Sequence, residues 1–96
     1  MVTTKPTKST KTLWWLSFAD PYLPLGSQFL GAVIVPGNNL FEAVQTAHKL
    51  KLNPGGEVRG VPVLNHLVIP ERWCNRLLTR LECEEFDKEM SPKVMN

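Results

Sequence analysis

The sequence predicts a small α+β domain, a compact α/β arrangement with a mixed three-stranded sheet in β-β-α-β order and one or two C-terminal helices. Three observations carry that reading. Residues Thr12–Ala19 alternate with the two-residue period of a strand and are rich in aromatics. Residues Phe29–Val61 read strand, helix, strand over 33 residues, the size of a βαβ crossover. The last third changes to helical spacing and contains two helix-start signals.

In the first strand, Trp14, Leu16 and Phe18 fall on one face and Leu13, Trp15 and Ser17 on the other. With a Trp on each side, one face packs on the core and the other is covered by a helix, a partner chain or a ligand. Asp20–Gln28, DPYLPLGSQ, opens on Asp-Pro and holds a second proline and a glycine, so it forms the turn into the next strand. Phe29–Val35, FLGAVIV, is apolar on both faces and is expected at the centre of the sheet. Gly31 within it marks a bulge or the close approach of another backbone or an aromatic.

Asn39 followed by Glu42 supplies helix-capping chemistry, and Leu40, Ala43, Val44, Ala47 and Leu50 make the apolar stripe of a helix reaching about Leu50. Asn53-Pro54-Gly55-Gly56 stops it. Glu57–Leu64 then alternates as a strand that Pro62 confines to a sheet edge or to a short piece ending near Val61. A right-handed crossover makes the second and third strands parallel, with the first antiparallel to the second. A helix is expected to start at Ile69-Pro70 and run through Trp73, Cys74, Leu77 and Leu78. Thr79 with Glu82 is a capping box that starts another, Arg80–Met90, with Leu81, Cys83, Phe86 and Met90 as its apolar positions.

The chain has 96 residues, 43% of them apolar, with three Trp and four Phe, which suffices for one core and one domain at 13–90. This excludes multidomain enzymes, coiled coils, collagen-like chains and disulfide-dense scaffolds. The charge of +2 is unevenly placed: an arm at 1–12 holds Lys5, Lys8 and Lys11, the short end at 91–96 holds Lys93, and the domain between them has seven bases against nine acids. Three lysines on an arm are too few to make nucleic acid the expected partner. The apolar stretch Leu13–Ala19 is short for a signal-peptide core, and no window reaches the roughly 18–20 apolar residues of a membrane span, so no membrane and a cytoplasmic location are expected. Cys74 and Cys83, spaced C-x8-C, read as reduced thiols. Together with His48 and His66 they lack metal-ligand spacing, so neither a metal nor a cofactor is expected.

Catalytic groups are few. A Cys74–His66 dyad has no local mark of a nucleophile, and carboxylate pairs occur only on the acidic helix, so a non-enzymatic protein is expected. Two features could meet an anion. The glycines of Asn53-Pro54-Gly55-Gly56 bare backbone amides, although the turn also serves simply to reverse the chain and lacks the lysine and following helix of a P-loop. Arg72, Arg76 and Arg80 are spaced by four around Trp73 and suit phosphate and base binding, or else pair with acidic side chains while Trp73 joins the core.

Trp14-Trp15-Leu16-Ser17-Phe18, Phe29-Leu30-Gly31-Ala32-Val33-Ile34-Val35 and Leu52-Asn53-Pro54-Gly55-Gly56-Glu57-Val58, with the terminal Leu77-Leu78-Thr79 and Glu82, follow a WWLSF, FLGxxIV, NPGGxV, LLTxxE order. In this the chain resembles small uncharacterised proteins of phages and bacteria. The resemblance carries no established activity; small phage proteins of this size often act against host defences, by blocking a protein or sequestering a nucleotide, and on that analogy counter-defence in a host cytoplasm is expected. The expected function is sequestration of a small anionic, nucleotide-like ligand between subunits of a homo-oligomer, by Trp14, Trp15, Asn53, Gly55, Gly56, Arg59, Arg72 and Arg76. The alternative is an interaction module that docks on a host protein through an aromatic or basic face.

Overall fold

The computed structural model describes residues 12–64 and 68–90; the arm expected before Thr12, residues 65–67 with His66, and the end at 91–96 lie outside the described residues. The elements are β1 (Thr12–Ala19), β2 (Phe29–Gly37), α1 (Leu40–Lys49), β3 (Glu57–Pro62), a single 3₁₀ turn (Glu71–Trp73) and α2 (Arg80–Met90). The α+β class and the β-β-α-β order stand as expected.

The pairing differs from the expected mixed sheet. Strand order is β2-β1-β3, and both pairs are antiparallel. The crossover through α1 does leave β2 and β3 pointing the same way, but it skips one strand position, and β1 occupies the gap. A loop of nine residues joins β1 to β2, which pair antiparallel as expected; the difference is that β3 pairs with β1 and not with β2.

Strand β2 is therefore not central, yet its apolar residues are buried on both faces. Its outer edge is closed by backbone: Ala32 donates to the Leu78 carbonyl (3.1 Å), Leu78 donates to that of Ala32 (2.7 Å), and Asn75 donates to that of Ile34 (2.9 Å). Gly31 serves both purposes expected of it. The register slips beside it, where Phe18 faces Gly31 but Ala19 faces Phe29, and a Cβ at Gly31 would lie 2.7 Å from a Leu77 methyl and 3.1 Å from the Leu78 carbonyl.

The edge closure also explains why no helix follows Pro70. The turn ends at Trp73, Asn75 takes a left-handed conformation (φ 58°), and the next residues lie along β2 instead of continuing to coil. Backbone bonds to the sheet override the local helical pattern. The second capping box forms as expected: Thr79 Oγ1 accepts from the Glu82 amide (3.1 Å) and Glu82 Oε1 accepts from the Thr79 amide (3.0 Å).

Two layers cover the sheet. On one face Leu16, Phe18, Val33 and Val35 pack against Ala43 and Ala47 of α1, with Trp14 and Val58 alongside. The other face carries Ile34, Leu78 and Trp73, flanked by Leu13, Trp15, Cys74, Cys83 and Phe86. Small residues on α1 allow close approach of helix and sheet. No helix among the described residues is long and apolar enough to cross a membrane.

Candidate functional site

The residues most out of keeping with an ordinary surface are in the loop Asp20–Gln28. Its ends are joined by the Asp20 amide, which donates to the Gln28 carbonyl (2.8 Å). The Asp20 carboxylate accepts from the Tyr22 amide (2.9 Å), an Asx turn, and Ser27 donates to the Pro24 carbonyl (2.9 Å) to close a second turn. From the base, the Gln28 side chain reaches inward and donates to the carbonyls of Leu23 (3.0 Å) and Pro21 (3.3 Å). Two prolines remove further backbone freedom.

This ordered frame holds apolar side chains in water. Tyr22 is 94% exposed and Leu25 89% exposed, with Leu23 partly exposed between them. Asp20, the only charged residue of the loop, is engaged by the Tyr22 amide. The sequence signal was available: a nine-residue loop with one charge carries Tyr22 and Leu23 between its prolines and Leu25 just after the second.

The residues expected to hold an anion are not brought together within one chain. Trp14 lies on the α1 face and donates from its indole to the Gly37 carbonyl (2.9 Å), whereas Trp15 lies on the opposite face against Phe86. Asn53 accepts from the Gly55 amide (2.8 Å), so one of the bared amides is already used inside the turn. Gly56 sits close against the Ala19 carbonyl, and Arg59 is exposed on β3.

The arginines near Trp73 adopt the other of their two readings. Arg72 is ion-paired to Glu89, which also accepts from the Trp73 indole (3.1 Å), and Arg76 is paired to Glu82 at 2.9 Å. Both guanidinium groups lie over the Trp73 ring, at 5.4 and 5.7 Å from its centroid, and Trp73 itself is 6% exposed. Arg80 turns away and lies over Phe29.

A shallow cleft of about 460 Å³ beside the end of α1 is lined by Val44, Gln45, His48, Lys49 and Asn53. Burial raises the Cys74 and Cys83 thiols, with Glu71 adding to the shift at Cys74, and Asp87 and Glu82 at Cys83. Among the described residues no group of three or more His, Cys, Asp or Glu could hold a metal ion. No protein-family model, curated protein or solved structure matches the chain.

Proposed function

We propose that the chain is a non-enzymatic protein-binding module that docks on a partner protein through the Asp20–Gln28 loop. The observation that carries this reading is the exposure of Tyr22 and Leu25 on a loop whose backbone is fixed by its own hydrogen bonds. Burying each such side chain is worth about 1.5–3 kcal/mol, and a pre-ordered loop avoids much of the entropy loss of docking. Tyrosine is a frequent interface anchor because its ring is apolar and its hydroxyl still bonds. The complementary surface is a shallow apolar pocket with a hydrogen-bonding group at its floor. The resemblance to small phage proteins makes a host protein the partner of choice.

The test is capture with the wild type and with Tyr22→Ser/Leu25→Ser. These side chains pack on nothing, so the double variant keeps its fold, and it is expected to lose the partner that the wild type retains. Retention of the same partner at equal affinity would overturn the reading. Gln28→Ala removes no exposed apolar group but frees the loop, and is expected to weaken binding through faster dissociation.

A small anionic, nucleotide-like ligand is the second reading, favoured by the cleft that sets Asn53 beside Lys49 and His48. Ligand at about a hundredfold its Kd stabilises the fold by about 2.7 kcal/mol, so a thermal-shift panel of nucleotides reads it directly. No shift across the panel, with a shift lost in Lys49→Glu as the positive counterpart, decides between the two.

A further inference from the structure

We infer that the outer edge of β3 pairs with the same edge of a second copy of this chain, antiparallel about a two-fold axis through Val58. Among the described residues no strand pairs with that edge, whereas the outer edge of β2 is closed by Leu78 and Asn75. Among the described residues the sheet thus offers one open edge.

The register of β3 against β1 fixes what that edge displays. Val63 donates to the Leu13 carbonyl (2.8 Å), so the pairs Trp15–Val61, Ser17–Arg59 and Ala19–Glu57 are the hydrogen-bonded ones. The N–H and C=O groups of the alternate residues, Val58 and Gly60, then point outward. Pro62 shares that outward phase and has no N–H to offer.

Charge selects the register. Glu57 and Arg59 are exposed on the face opposite α1, and neither has an ion-pair partner among the described residues. A two-fold axis at Val58 lets the two Val58 residues exchange both backbone bonds. It also sets Glu57 directly opposite Arg59 of the partner subunit, and does so twice by symmetry. An axis at Arg59 would instead oppose like charges, and an axis at Gly60 would require the missing N–H of Pro62. The product is a continuous six-stranded sheet.

Size-exclusion chromatography with light scattering on the full chain reads this directly. The wild type is expected at twice the 10.8 kDa chain mass. Arg59→Glu alone and Glu57→Arg alone each place like charges opposite one another and are expected to weaken dimerisation about tenfold or more. Mixing the two single variants restores both opposite-charge pairs, so a heterodimer is expected from proteins that are monomeric apart. The double swap Glu57→Arg/Arg59→Glu is expected to dimerise like the wild type. Both positions are exposed, and circular dichroism verifies that each variant is folded. A monomeric wild type, single variants that dimerise unchanged, or a mixture that stays monomeric would each overturn the inference.

Discussion

The indole of Trp15 stacks on the ring of Phe86 with centroids 5.3 Å apart and planes inclined by 28°. Trp73 meets the same Phe86 edge-on at 5.6 Å and 80°. One half-buried phenyl ring thus joins the sheet to α2, a helix that has no fully buried residue of its own.

Removing that ring should cost more than any other change on α2. Phe86→Ala is expected to lower stability by about 2–4 kcal/mol, near the lower end of the range for aromatic truncation because the site is only partly buried. Urea titration measures it, with Lys88→Ala, on the exposed side, expected to be neutral.

Glu82 gives the fold a pH dependence. The Thr79 amide, and after it the Arg76 guanidinium, bond its carboxylate and hold its pKa below the ordinary carboxylate value. A group with a lowered folded-state value stabilises above its unfolded pKa of about 4.3 and loses that contribution as pH falls through the lowered one. Urea midpoints followed from neutral pH into that acid range should show Glu82→Gln less stable at neutral pH and the gap to wild type closing in acid.

The two glycines of the turn before β3 should respond differently to alanine. Both have positive φ, +94° at Gly55 and +77° at Gly56, so each substitution carries a backbone cost of about 1–2 kcal/mol. A Cβ at Gly55 meets nothing within 4 Å, but one at Gly56 would lie 2.5 Å from the Ala19 carbonyl oxygen. Gly56→Ala is therefore expected to be clearly the more destabilising in denaturant titration, and equal effects would show that the turn shifts freely.

Burial, then nearby carboxylates, raise both thiols, so Cys74 and Cys83 carry little thiolate at neutral pH. Alkylation by iodoacetamide should be slow in the native protein and several-fold faster in urea. Rapid native labelling of either cysteine would contradict the packing of the α2 face.

Element boundaries were legible because their signals are local. The alternation of β1, the Asn39 cap and the Thr79–Glu82 box each occupy a few neighbouring residues and form where the pattern puts them, whereas α1 already ends at Lys49, with Lys51 left-handed (φ 64°), ahead of the glycines. Strand order was not legible, since apolar content on both faces of β2 signals burial and burial does not distinguish a central strand from an edge closed by other backbone. The lost helix after Pro70 has the same origin: bonds from Asn75 and Leu78 to β2 come from residues more than forty positions away. The arginine spacing near Trp73 was visible, but the acids that neutralise it come from α2, which the spacing alone cannot place. The Asp20–Gln28 loop was visible as a turn, whereas the exposure of Tyr22 and Leu25 on it depends on how the turn folds and was not legible.

The backbone closure of β2 by Leu78 and Asn75 sets a limit on growth. A sheet with two free sides is divalent for strand pairing and extends into a fibre. Among the described residues one side is already occupied by the chain's own backbone and one is left for strand pairing, so the pairing proposed at β3 would exhaust the sheet and terminate propagation.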